Sequence, residues 1–149
     1  MKKVVLIPTY NEKENISAII HTVLNLPSGY HILVIDDGSP DGTAQIVKEL
    51  MLSFPNRLFI EERSGKLGLG TAYIHGFKWA LQNQYDYIIE MDADFSHNPK
   101  DLDRLIDACE IEGADVSVGS RYVKGGATEN WPMDRLIYSK GESAYTRLI

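Results

Sequence analysis

The sequence has little that could hold it together covalently, with a single cysteine, Cys109, in 149 residues. No disulfide can form within the chain, and a cysteine-based zinc site has nothing to build on. Cys109 falls among apolar residues in a helical pattern and reads as a small core residue. Positive charge is also scarce. Fifteen Lys and Arg face 21 Asp and Glu, for a formal net charge of −6. Nucleic acids and anionic membranes are held by clustered Lys and Arg. The balance therefore argues against a nucleic-acid partner and leaves room only for a local basic site. No apolar run approaches the length of a membrane span. The opening MKKVVLIPTYNE is too short in its apolar part for a signal peptide, so a cytoplasmic start is expected. Internal repeats, low-complexity tracts and linkers are missing too.

What remains has the composition of a soluble globular domain, 44% hydrophobic and 24% charged. The length suits one domain with a real core. Short apolar runs alternate with helical patterns. KVVLIP (3–8), HILVID (31–36), RLFIEE (57–62), YDYIIEMD (85–92) and ADVSVGS (114–120) read as strands. Residues 12–26 read as a helix, with Ile16, Ile19, Ile20, Val23 and Leu24 at helical spacing. Further helices are expected over 41–54, with Asp41 as N-cap, over 68–83, and over 99–113, with Pro99 in the first turn. After a glycine-rich loop over 119–132, residues 133–149 look like an amphipathic helix that stops in mid-pattern. The chain is therefore expected to be the N-terminal part of a longer one. Strands apolar on both faces, alternating with helices, predict a parallel sheet covered on both sides.

In such sheets ligands bind at the carboxyl ends of the strands. Each polar cluster follows an expected strand: PTYNE (8–12), DDGSPDG (36–42), RSGKLGLG (63–70), DADFS (92–96) and GSRY (119–122). Five such turns on one edge would make a site. Asp92 and Asp94 flank a small residue and can converge on one side of a turn. Hard divalent cations take oxygen ligands, and Mg²⁺ is commonly bound by one or two carboxylates plus substrate phosphates. Calcium-loop readings fail on both acidic stretches. His97 replaces the required glycine in one, and Lys48 the bidentate glutamate in the other. Asp36 and Asp37 end the second strand, where a carboxylate can accept from a base or ribose. Gly68 and Gly70 could let backbone N–H groups approach a phosphate at a helix start, or serve only as turn glycines. Arg121 carries a guanidinium suited to phosphate, and Arg63, Lys66, Lys124, Arg135 and Lys140 could join it or be ordinary surface charges.

The series PTYNE, DDGSPDGT, GKLGLGTAYIHGF, MDADFSHNP, GSRYVKGG and NWP with a following SKG resembles family 2 glycosyltransferases. Within that family it is similar to the dolichyl- and polyprenyl-phosphate mannosyltransferases. The resemblance implies α/β architecture of GT-A type, a Rossmann-like, mostly parallel sheet with helices on both faces. It implies inverting transfer of mannose from GDP-mannose to a polyprenyl phosphate, assisted by Mg²⁺ or Mn²⁺, at the cytosolic face of a membrane. By motif, Pro8, Tyr10, Glu12, Asp36, Asp37, Gly68 and Gly70 would form the nucleotide pocket. Asp92 and Asp94 would face the diphosphate and the metal, with Ser96 beside them where some relatives carry glutamine. Arg121 would hold phosphate at the reaction centre, and Arg135 and Ser139 the acceptor phosphate. The family's catalytic domain continues well past residue 149.

Three other readings compete. The same fold could use UDP-glucose or another sugar nucleotide. The chain could bind nucleotide without transferring anything. A phosphoacceptor receiver also has a five-stranded parallel sheet with clustered acids. It needs an aspartate at the end of strand three, where this chain has Glu61, Glu62 and Arg63.

Overall fold

The structure, a computed structural model, describes residues 2–65, 67–110, 117–118 and 147–148. It divides into two compact units, Met1–Phe95 and Ser96–Ile149. In the first unit, β1 (Lys3–Thr9), α1 (Ile16–Leu24), β2 (His31–Asp36), α2 (Thr43–Met51), β3 (Leu58–Glu62), α3 (Leu69–Gln82) and β4 (Tyr87–Glu90) follow in turn. The four strands form one parallel sheet in the order β3-β2-β1-β4.

That order explains where the helices lie. The chain first moves outward from β1 through β2 to β3, then returns across the sheet to β4. Right-handed crossovers put α1 and α2 on one face and α3 on the other. Gly76 of α3 sits on Leu6 and Ile35, where an added Cβ would come within 2.8 Å of Leu6 Cδ1. Side chains alternate along a strand. Val4, Leu6, Leu33 and Ile35 accordingly pack with Ala72, Ala80 and Tyr85 on the α3 side. Val5, Ile7, Ile32 and Val34 point the other way and are fully buried, as are Ile16, Ile19, Ile20 and Val23 of α1. The order in which strands are added reverses at β1, which pairs with both β2 and β4. Such a reversal opens a crevice at the carboxyl edge of the sheet.

Element ends depart from the sequence expectation for local reasons. The first helix begins at Ile16 rather than residue 12. Before it, the N–H groups of Asn11, Glu12 and Lys13 donate to Ser39, Thr43 and Asp41, which fixes this stretch against the segment that follows β2. The N-cap of α2 is Gly42, not Asp41. Asp41 acts from one residue earlier, its Oδ1 accepting from the N–H and hydroxyl of Thr43.

In the second unit a 3₁₀ turn (Pro99–Asp101) leads into α4 (Leu102–Glu110). Asn98 caps the turn by accepting from the Lys100 N–H at 3.0 Å. β5 (Ser117–Val118) pairs in parallel with β6 (Arg147–Leu148) as a separate two-stranded sheet. The single five-stranded sheet expected from the sequence is thus corrected to a sheet of four and a pair. The helix expected to run to residue 149 gives way to a strand at 147–148, since a short apolar pair fits either state and pairing decides it. Among the described residues no helix is long and apolar enough to cross a membrane.

Candidate active site

Parallel register sets the carboxyl edge level. Thr9 lies opposite Asp36, and Asp36 opposite Glu62. Beyond these positions backbone bonds continue the sheet for one more residue. Asp37 N–H donates to Thr9 O, Arg63 N–H to Asp36 O, and Met91 N–H to Leu6 O. The loops after β1, β2, β3 and β4 therefore leave from neighbouring points.

Asp36 is the knot of this edge. It is 1% exposed. Its Oδ1 accepts from the Thr9 hydroxyl at 2.7 Å and the Ser39 hydroxyl at 2.6 Å, and its Oδ2 from the Ser39 N–H at 3.0 Å. A buried carboxylate is costly without such donors. The same loop then braces the one after β1. Ser39 Oγ accepts from Asn11 N–H, Thr43 Oγ1 from Glu12 N–H and Asp41 Oδ2 from Lys13 N–H. Asn11 adopts a left-handed φ of 56°, a conformation asparagine tolerates better than most residues. Asp41 feels some burial. Bonds from Thr43 and Lys13 together with the Lys13 charge outweigh it and hold its carboxyl below the usual value.

Against this frame lies a cavity of about 220 Å³, lined by Pro8, Thr9, Tyr10, Glu12, Asp37, Gly68, Leu69 and Ala72. Asp37 is gripped by Arg63, with Nε to Oδ1 at 2.7 Å and Nη2 to Oδ2 at 2.8 Å. Gly68, with φ of 102°, makes the turn into α3, a backbone state open mainly to glycine. Glu12 is pushed above the ordinary glutamate value. Burial is the main cause, and the charges of Asp94 and Asp41 add to it against a bond from Asn15. Asp94 is thus near enough to repel a cavity residue. Asp92 is 7% exposed and accepts from the Tyr73 hydroxyl of α3 at 3.1 Å.

The comparison with known sequences is decisive here: the family described as Glycosyl transferase family 2 matches residues 4–148. The chain belongs to glycosyltransferase family 2. It is 49% identical over 148 residues to polyprenol monophosphomannose synthase of Mycolicibacterium smegmatis, covering 99% of this chain and 56% of that protein. It is 40% identical over 149 residues to undecaprenyl-phosphate mannosyltransferase of Micrococcus luteus, covering 100% of this chain and 60% of that protein. With dolichol-phosphate mannosyltransferase of Pyrococcus furiosus the identity is 43% over 143 residues, covering 95% of this chain and 39% of the relative. The chain therefore spans only part of the length of these curated relatives.

Two solved structures share the fold. Mannosyltransferase PcManGT from Pyrobaculum calidifontis, in complex with GDP-Man and Mn²⁺, gives a TM-score of 0.57 at 24% identity, covering 62% of this chain and 27% of that one. TarS 1–349 of S. aureus, in complex with UDP-GlcNAc, gives 0.64 at 23% identity, covering 85% and 36%. The fold of this family 2 chain is the GT-A glycosyltransferase fold.

Of the residues singled out in the sequence of this glycosyltransferase family member, the structure gathers Pro8, Tyr10, Glu12, Asp37 and Gly68 around one cavity. Asp36 does not line that cavity. Its buried carboxylate is engaged by Thr9 and Ser39, because burial has to be matched by donors. Gly70 falls in the first turn of α3 and does not line the cavity. Ser96 and His97 belong to the second unit. Lys66, Arg121, Lys124, Arg135, Ser139 and Lys140 lie outside the described residues.

Sequence reading passed over Thr9, Ser39, Thr43 and Tyr73, and it left Arg63 undistinguished among possible surface charges. The parallel register could have singled out Arg63. With Asp36 opposite Glu62, the next residues on the two strands are Asp37 and Arg63.

The donor set suits a hard divalent cation. Asp92 and Asp94 offer carboxylate oxygens, and the charge of Asp94 adds a smaller share to the rise that burial imposes on Glu12. Among the described residues no group of three or more His, Cys, Asp or Glu could hold a metal ion by itself. Two carboxylates completed by water and substrate phosphates match the way Mg²⁺-type ions are held.

Proposed function

We propose that the protein is an inverting glycosyltransferase that moves mannose from GDP-mannose to a polyprenyl (dolichyl) phosphate, with Mg²⁺ or Mn²⁺ as cofactor. The observation that carries this reading is the cavity at the carboxyl edge, where Pro8 at the end of β1 meets Tyr10, Glu12, Asp37 and Gly68 from the segments after β1, β2 and β3. It is supported by the identity to polyprenyl-phosphate mannosyltransferases over nearly the whole chain.

In this reading Tyr10 and Asp37 hold the nucleoside and the turn at Gly68 closes over it. Asp92 and Asp94 would hold the metal, and Tyr73 fixes the Asp92 carboxylate. When bound, the metal neutralises charge on the departing diphosphate. The acceptor is a phosphate monoester with a second pKa near ~6. It is already largely a dianion at neutral pH, so no side chain has to remove a proton from it. Arg121, with Arg135 and Ser139, holds that phosphate and offsets its repulsion with the donor. Attack from the face opposite the leaving group inverts the anomeric carbon. The partners are therefore a sugar nucleotide and a lipid phosphate, and the chain meets a cytosolic membrane surface through its acceptor.

Calorimetric titration of GDP-mannose, UDP-glucose and NAD, with Mn²⁺ or Mg²⁺ and again with chelator, tests the reading. Metal-dependent binding of GDP-mannose ahead of the others is expected. Preference for UDP-glucose would change the donor and keep the pocket. Absence of any nucleotide binding, in this chain and in a longer one, would overturn the proposal.

A further inference from the structure

Arg63 does not line the cavity, yet it binds two of its walls. Both Asp37 oxygens accept from its guanidinium, at 2.7 and 2.8 Å. On its other side Nη1 donates to Thr71 Oγ1 at 3.1 Å and Nη2 to Gly68 O at 3.3 Å. Its own backbone N–H holds Asp36 O at 2.8 Å. The side chains of Arg63 and Asp37 are each only 9% exposed. One side chain thus ties the residue after β2 to the start of α3.

Stability alone is a weak reason for such a pair. Buried ion pairs often contribute no more than apolar residues of the same volume, because desolvation offsets their attraction. Planar, two-point geometry is what arginine adds. It fixes the plane of the Asp37 carboxylate and takes one bond on each oxygen. Each oxygen keeps further acceptor capacity, and Asp37 lines the cavity. A carboxylate held in this way is a paired acceptor of fixed orientation. The edge of guanine presents two adjacent donors, N1–H and N2–H. Uracil presents one N–H flanked by two carbonyl oxygens, and a carbonyl facing a carboxylate oxygen is repelled.

We infer that Arg63 is a positioning residue that locks Asp37 as a paired acceptor and so makes the pocket prefer guanine-bearing over uracil-bearing donors. The inference rests on the reading of this cavity as the sugar-nucleotide pocket.

The test is calorimetric titration of GDP and of UDP, with Mn²⁺, into the unaltered protein, Arg63→Lys and Thr71→Val, with thermal melts of each. Lysine keeps the charge and loses the two-point grip. Thr71→Val leaves Asp37 gripped and removes one anchor of the arginine. The unaltered protein should prefer GDP. Arg63→Lys should narrow that preference by ~10-fold or more through weaker GDP binding, and Thr71→Val should narrow it less. A folded Arg63→Lys protein that keeps the full preference, or loses GDP and UDP affinity equally, overturns the inference. If Arg63→Lys does not fold, an unchanged preference in Thr71→Val overturns it. Preference of the unaltered protein for UDP overturns it while leaving the nucleotide pocket standing. Binding of neither nucleotide removes both.

Discussion

The Tyr73 hydroxyl donates to Asp92 Oδ1 at 3.1 Å, joining the middle of the first half of α3 to the loop that follows β4. Helix and loop are thereby held in one arrangement before any ligand arrives. Partners of this kind commonly alter metal affinity or activity by about 10–100-fold when removed. Tyr73→Phe deletes only the hydroxyl. It should weaken metal-dependent nucleotide binding by roughly 10-fold with an unchanged melting temperature. A Mn²⁺ titration in the presence of GDP-mannose reads this directly, and equal metal affinity in the two proteins would refute it.

Asp94 carries the sharpest prediction for transfer. Asparagine keeps its size and removes its charge. Asp94→Asn should lower mannose transfer to polyprenyl phosphate by ~100-fold or more with folding intact. Near-normal transfer by a folded variant would sink the metal assignment.

The knot at Asp36 concerns folding rather than donor contact. Removing its carboxylate leaves the hydroxyls of Thr9 and Ser39 and one N–H without their acceptor. Asp36→Ala should lower unfolding free energy by about 3 kcal/mol, and Thr9→Val by about 1 kcal/mol. Urea unfolding followed by circular dichroism checks both. A change under about 0.5 kcal/mol for Asp36→Ala would contradict the role given to it.

His31 makes stability depend on pH. At the opposite end of the sheet its Nδ1 shares a 2.9 Å hydrogen bond with the Tyr85 hydroxyl. Burial, followed by the charges of Arg57 and Lys2, holds its imidazole below the ordinary 6.5. The unfolded chain therefore takes up the proton more readily than the folded one. The stabilisation is complete above 6.5 and is lost as pH falls through the folded value. Between about pH 7.5 and 5.5 the melting temperature should fall more steeply for the unaltered protein than for His31→Phe. Parallel curves over that range would exclude His31 as the source.

Much of this arrangement is legible in the chain itself, because a parallel sheet writes a simple pattern. Four apolar strands alternate with helices, and each polar cluster must then emerge on one edge. That is why PTYNE, DDGSPDG and GLG by themselves point to one pocket. The helix of residues 16–24 is equally plain from the spacing of its isoleucines.

The pattern is silent on which polar residue faces inward. Asp36 and Asp37 are adjacent and chemically identical, and along a strand adjacent side chains take opposite directions. Only the packed structure shows that one is enclosed by Thr9 and Ser39 while the other lines the cavity against Arg63. The anchoring of the loop before α1 has the same origin, since the donors of Asn11, Glu12 and Lys13 are claimed by side chains about 30 residues away. Local periodicity records how each segment can bury its apolar face. Pairing between polar groups far apart in the chain is settled only when folding brings them within hydrogen-bond reach, so the strands and helices were legible and the partners of Asp36, Asp37 and Asp92 were not.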